Sequence, residues 1–386
     1  MHHLTPHFII EQSEQGREQG RFPAASLFVD ISGFTVVTET LMQHQQSGVE
    51  ELARIMRAIF DPLAASIYRH GGFICTCAGD AITALFPLEP DQPAQAYRRA
   101  LAAAWAIRQQ MLTATQNTRY GAFHFTAKTG LGGGLVEWGI ITGPTAHQNA
   151  YYFKGPAVET CAQAEHYAAG NDIILSRDFY GQLQPAVEVD PLPAVSDFVK
   201  LTSVLAPLPE PGAIVLPEVT PEQAAAFHPS ELLQQKASGE FRHALNVFIN
   251  LADMDSHPAL VETMQVVFNL QQQYGGYLNR IDFGDKGCHL LLFWGAPIAY
   301  ETDIERALNF LLDLRAAITQ PLRAGVTYRI SHAGFIGSKL REEYTCYGRG
   351  INLAARLMTH APWGRIWLDE EMAQRADPDF AAEYID

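Results

Sequence analysis

Apolar and polar positions change period along the first ninety residues. The segment Ser26 to Phe34 (SLFVDISGF) is apolar up to Asp30 and reads as a buried strand. Leu52, Ile55, Met56, Ile59, Phe60, Leu63 and Ile67 then recur at helical spacing, which predicts one helix with a broad apolar face for a sheet. Gly71-Gly72 stops that helix and turns the chain into a hairpin. Continued to the end, the pattern reads twice as strand, helix, hairpin, helix, two strands, helix, strand. That order predicts an α+β fold, one sheet per half with helices laid over it.

The two halves match segment by segment. Ser26–Phe34 aligns with Leu245–Met254, His70–Thr76 with Tyr274–Arg280, and Ala84–Phe86 with Leu291–Phe293. Further on, Lys128–Gly134 aligns with Arg323–Tyr328, Lys154–Val158 with Tyr347–Ile351, and Asp172–Leu175 with Arg365–Leu368. Nine of the chain's 22 prolines fall between Pro185 and Pro229, a density that blocks regular helix and central strand. The expected organisation is an N-terminal extension (1–20), a first domain (21–184), a proline-rich connector with room for an edge strand (185–238) and a second domain (239–386). Apolar pieces such as PGAIVLPEV predict that the connector packs on the domains.

Composition narrows the function classes. With 386 residues, 47% hydrophobic and 18% charged, the chain can form two ordinary cores. No apolar run is long enough to cross a bilayer, and the first twenty residues lack a basic region followed by an apolar stretch; both readings predict a cytoplasmic protein. Cys75, Cys77, Cys161, Cys288 and Cys346 are odd in number and scattered, which predicts reduced thiols, with the Cys75/Cys77 pair packing a strand. A net charge of -15 argues against nucleic-acid or anionic-lipid partners, so an anionic substrate would need locally placed cations.

Two carboxylates meet that frame. Asp30 ends the first buried strand and Asp80 sits in the hairpin turn. Strand neighbours lie about 5 Å apart, so two strand-end aspartates can share an edge and hold divalent ions suited to phosphoryl transfer. The alternative is that Asp30 caps the following helix and Asp80 favours its turn. Ser32, Gly33, Phe34 and Thr35 follow at a helix start, where exposed backbone N–H groups can hold phosphate oxygens. The second half has Asn250 for Asp30 and Gly287, or a close neighbour, for Asp80. It carries instead Asn352 and Arg356, four apart on one helix face, opposite Gln163 in the first half. This asymmetry predicts one composite site between the halves and a decayed twin.

The pairing of FVDISGFT with CAGDA resembles the metal-binding signature of class III adenylyl and guanylyl cyclases. EEYTCYGRGINLAARLM resembles their transition-state segment, and DKGCHLLLFWG resembles soluble adenylyl cyclases in particular. The resemblance implies two class III cyclase-like domains of ferredoxin-like βαββαβ core, paired as a pseudo-two-fold intramolecular dimer. It implies conversion of ATP to cyclic AMP and pyrophosphate, with Asp30, Asp80 and the Ile31 carbonyl holding two Mg2+ or Mn2+ ions. Asn352 would orient the ribose, Arg356 would stabilise charge on the α-phosphate, and Lys128 would bind the triphosphate. Arg280 and Thr345, with Cys346 beside them, would contact the base, although the family has lysine at the place of Arg280. In the decayed site Thr76 and Ala162 stand where soluble adenylyl cyclases have a lysine and an arginine, so bicarbonate would find no cations. Such a protein would act as a monomer, often with further C-terminal regulatory domains. A nucleotide-sensing module with little turnover is the competing reading. A diguanylate cyclase or polymerase palm shares the two-metal chemistry but lacks this repeat, and no GG[DE]EF segment is present.

Overall fold

The computed structural model describes residues 3–145, 148–193, 195–235, 239–284, 287–378 and 380–384. Asp285 and Lys286 of the DKGCHLLLFWG segment and residues 236–238 of the connector lie outside them. The first half runs α1 (His7–Glu14), β1 (Gln19–Ser32), α2 (Phe34–Met42), α3 (Gln45–Arg69), β2 (Phe73–Ala78), β3 (Ala81–Pro87), α4 (Pro93–Met111), β4 (Thr115–Thr118), β5 (Gly121–His124), β6 (Thr126–Ile141), β7 (Ala150–Lys154), α5 (Pro156–Glu165), β8 (Ile173–Ser176) and α6 (Arg177–Leu183). Then come β9 (Val187–Leu192), β10 (Val195–Val204), α7 (Pro221–Ala225) and α8 (Ser230–Leu233). The second half runs β11 (Gly239–Leu251), α9 (His257–Tyr274), β12 (Tyr277–Gly284), β13 (Gly287–Trp294), α10 (Asp303–Ala317), β14 (Leu322–Ser338), β15 (Arg341–Tyr347), α11 (Arg349–His360), β16 (Ile366–Leu368) and α12 (Glu370–Arg375).

The repeat is explicit in the sheets. One orders β2-β3-β1-β6-β8 and the other β12-β13-β11-β14, with β16 on β14 as β8 is on β6, parallel in both cases. Cross-strand register repeats as well: Asp30 faces Lys128, and Asn250 faces Arg323. The spaced apolar residues of α3, Leu52 through Ile67, are all buried in the first core, and α3 also lies against β14 and β11 of the second half.

The two halves pack reciprocally. β7 of the first half lies against β12 of the second, and β15 of the second against β2 of the first. Ile141, Ala150 and Tyr152 join the core of the second half, while Ile336 and Tyr347 join that of the first. Each half therefore completes the other's apolar core through equivalent strands, the pattern of an isologous contact. Hydrogen bonds stitch the same seam: Cys77 N–H to Glu343 at 3.3 Å, Arg341 to the Tyr151 hydroxyl at 2.9 Å, and Lys339 N–H to Asp61 at 3.2 Å.

Residues assigned by the sequence reading to the connector add two edge strands to the first sheet, β10 on β8 and β9 outside it. Pro191 is accommodated there because an edge strand needs no N–H on its open side. The sheet thus continues about twenty residues past the expected boundary at 185. The N-terminal segment is also built in. The His3 carbonyl accepts the Glu342 N–H at 3.0 Å, Leu4 is buried beside Leu232 and Tyr344, and Thr5 pairs with His228 at 3.0 Å.

Candidate active site

β1 carries Asp30 two residues before its end at Ser32, and the β2–β3 turn brings Asp80 beside it, with the Ile31 N–H bonded to the Asp80 carbonyl at 3.1 Å. Burial and then the Asp30 charge push the Asp80 carboxyl up to about 6. Two oxygen-donor carboxylates this close repel one another, and that repulsion is what a divalent cation relieves. Lys128 already supplies a cation, its Nζ 3.3 Å from Asp30 Oδ2 and 3.2 Å from Glu165 Oε1. Hard oxygen donors suit Mg2+ or Mn2+, so the residues fit such an ion. Among the described residues no group of three or more His, Cys, Asp or Glu converges. The remaining ligands would be a backbone carbonyl such as that of Ile31, water and substrate oxygens, the usual supply for Mg2+.

Gly33 opens α2 at φ 121°, and a Cβ there would sit 2.7 Å from the His124 carbonyl, so no other residue fits this turn. No side chain caps α2, which leaves its first N–H groups, in the Ser32 to Thr35 segment, open to an anion.

Across the seam this edge meets the end of β15 and the start of α11. The Tyr347 hydroxyl donates to Asp80 Oδ2 at 3.1 Å, its ring lies 3.5 Å from where a Cβ on Gly79 would be, and Arg349 pairs with Glu39 at 2.5 Å. α11 then carries Asn352 and Arg356 on one exposed face, and among the described residues neither side chain has a hydrogen-bond or ion-pair partner. An arginine held free of carboxylates is available to an anion.

The expected base residues divide. Arg280 donates to Glu343 at 3.3 Å and to Asn279 at 3.0 Å, and its Nε lies 3.6 Å from Asp282. Thr345 donates to Asn279 Oδ1 at 3.4 Å, so Asn279 joins Arg280 and Thr345. Cys346 is not brought to them. It is wholly buried among Ala244, Phe293 and Tyr344, because successive side chains of a strand point to opposite faces.

From the sequence alone, no site role fell to Asn279, Glu343, Arg341, Glu165 or Tyr347. A β-bulge between Leu278 and Arg280 turns Asn279 toward Tyr344, whose carbonyl it binds at 2.6 Å. Glu343, two before Thr345 and so on its face of β15, was the one with a readable signal.

Solved structures and relatives bear on the fold. The chain superposes on a class III adenylyl cyclase-like ATP-binding protein from Pseudomonas aeruginosa with a TM-score of 0.61 at 10% identity, covering 93% of this chain and 86% of that one. The fold is that of the class III adenylyl cyclase-like proteins. No protein-family model matches the chain. In sequence the chain is similar to adenylate cyclase type 10 of Homo sapiens, 27% identical over 88% of the chain, and to that of Oryctolagus cuniculus at 24%. It spans about a quarter of their length, 24% in each case. Among the described residues no helix is long and apolar enough to cross a membrane.

In the second half the twin edge is built differently. Asn250 donates to the Cys288 carbonyl at 2.9 Å and accepts from Arg323, which also reaches the Thr359 carbonyl at 2.7 Å. By register Cys288, next to Gly287, holds the place of Asp80. A neutral amide and a thiol offer no site for Mg2+. Between the sheets lies a chamber of about 210 Å³, lined by Thr76, Tyr151, Asn279, Arg280 and Glu343 among others. Ala162 is not among its lining residues, since α5 turns toward β6.

The raised Asp80 carboxyl carries a stability consequence. A carboxyl whose folded pKa lies above its ordinary 3.8 stabilises the fold at low pH and loses that contribution as pH rises through about 6. In metal-free buffer at pH 7.5, Asp80→Asn is therefore expected to stabilise the chain by about 1–3 kcal/mol. The gain should shrink toward zero as pH falls to about 4. Thermal melts across that range check it, and a lower midpoint for the variant at neutral pH would overturn it.

Proposed function

We propose that the chain converts ATP to cyclic AMP and pyrophosphate at the seam where the Asp30/Asp80 edge faces the β15–α11 corner. The observation that carries this reading is the reciprocal packing. It brings Tyr347, at the end of β15, onto Asp80 of the acid edge, and α11, which begins two residues later, carries Asn352 and Arg356, both without a hydrogen-bond or ion-pair partner among the described residues, while the twin edge is neutralised. In the reaction the ribose 3′-oxygen attacks the α-phosphorus, the bond to the pyrophosphate oxygen breaks, and the hydroxyl proton leaves to solvent.

Asp30 and Asp80 hold divalent ions, whose contribution is to polarise the attacking hydroxyl and neutralise phosphate charge. The uncapped start of α2 and Lys128 bind phosphate oxygens, Asn352 orients the ribose, and Arg356 meets the charge that grows on the α-phosphate. Arg280, Asn279 and Thr345 provide donors and acceptors for the base. The protein acts as a monomer through its internal domain pairing, without nucleic-acid or membrane partners. Regulation through Thr76 and Ala162 by bicarbonate is expected to be weak, for want of the lysine and arginine.

A second reading, a nucleotide-sensing module without turnover, draws support from Arg280 being engaged by Glu343 and Asp282. The neighbour in Pseudomonas aeruginosa is itself described as an ATP-binding cyclase-like protein. Purified chain with Mg2+ or Mn2+ and either ATP or GTP distinguishes the two. Cyclic AMP from ATP is the expected product. ATP binding without any cyclic product would favour the sensing module, and cyclic GMP alone would overturn the base assignment.

A further inference from the structure

We propose that Glu165 is a positioning residue for Lys128: its carboxylate holds the ammonium away from full pairing with Asp30, so that Asp30 can take a divalent cation while Lys128 remains at the edge for phosphate. This inference rests on the metal assignment in the proposed function. Lys128 Nζ lies between the two acids, 3.2 Å from Glu165 and 3.3 Å from Asp30. Glu165 is the most buried of the three, 9% exposed in its side chain against 34% for Lys128 and 27% for Asp30. A buried carboxylate is costly unless a cation answers it, so Glu165 is a fixed anchor and Lys128 the mobile partner.

The backbone holds the anchor in place. A Cβ on Gly130 would sit 2.1 Å from the Cys161 carbonyl and 2.5 Å from the Glu165 N–H, so glycine lets α5 lie directly on β6, two residues from Lys128.

The other half of the molecule supplies the comparison. Gly325 permits the same approach, with a Cβ 2.1 Å from the Ala354 carbonyl and 2.4 Å from the Met358 N–H. Met358 thus stands where Glu165 does. There the strand-end acid is Asn250, the cross-strand cation is Arg323, and that cation binds the helix-end carbonyls of Thr359 and Ala361. The half with metal-type acids carries a carboxylate on the helix, and the half without them carries a thioether. A merely structural helix contact gives no reason for that difference. If the Lys128 ammonium had only Asp30 for a partner, it would compete with an incoming cation for the same oxygens.

The test is Mn2+ binding to the full chain without nucleotide, read from the free-ion paramagnetic resonance signal. Glu165→Gln is expected to weaken Mn2+ binding about five- to tenfold, and in a Lys128→Gln background the same change should cost less than about twofold. Glu165→Met, the residue the second half tolerates here, serves as the second variant and should match Gln. Glu165→Asp should recover much of the affinity. An equal loss with and without Lys128 would mean that Glu165 acts on the ion by its own charge, and no loss would leave it without this role; either overturns the proposal. Asp30→Asn tests the assignment beneath: Mn2+ binding unchanged in that variant would remove the metal edge, and this proposal with it. Absence of cyclic product would not touch the Mn2+ readout, so failure of turnover and failure of positioning are distinguishable.

Discussion

Asp30→Asn is expected to lower cyclic AMP formation by about a thousandfold or more at saturating Mn2+, with Asp80→Asn in the same range. The reason is the donor count. Asp30 and Asp80 are the two carboxylates of the edge, while Glu165, the most buried acid beside them, is paired with Lys128. An amide keeps the shape and one carbonyl oxygen but loses the charge that holds a divalent ion, so the transition state loses several kcal/mol of stabilisation while the fold is retained. Asp80→Asn sharpens the test, since that variant is expected to be more stable at neutral pH while losing activity, the trade of stability for function that a strained acid pair implies. Initial rates against Mn2+ with parallel melts provide the measurement. Unchanged turnover in either variant, with metal in excess, would exclude the acid edge from the chemistry.

Arg356→Ala is expected to reduce kcat by about 10²–10³-fold while moving the ATP KM far less. Arg356 is exposed and, among the described residues, without a side-chain partner, so its truncation breaks no ion pair there. What it removes is a guanidinium that meets charge only as the α-phosphate becomes five-coordinate, and interactions made only in the transition state appear in kcat. Arg356→Lys should restore part of the rate, because an ammonium keeps the charge but not the planar two-point geometry. A rise in KM with kcat unchanged would instead assign Arg356 to ground-state phosphate binding.

Much of the fold was legible before any coordinates. The α3 stripe from Leu52 to Ile67 and the turn at Gly71-Gly72 are local consequences of period and glycine, and the duplicated pattern implied two sheets of one design. Less legible were β9 and β10, because a proline-rich stretch carries the signature of a connector even where an edge strand tolerates it. The β4–β5 hairpin, Thr115–His124, is a short polar excursion without an apolar period and was not anticipated.

The site divides along the same line. Asp30, Asp80, Asn352 and Arg356 stand in short motifs, and a residue type at a strand end or on one helix face can be read from its neighbours alone. Their partners could not be. Glu165 reaches Lys128 only because Gly130 admits α5, and Tyr347 reaches Asp80 from 267 residues away. Asn279 owes its orientation to a bulge, and Cys346 is excluded by the facing of its strand. By itself the sequence determined the repeat, the order of the elements that the two halves share and which half carries acids, because these follow from spacing along the chain. Only the tertiary structure decided which half faces which, how Arg280 is engaged and what anchors Lys128, because those depend on the packing of surfaces whose complementarity is not written in any local period.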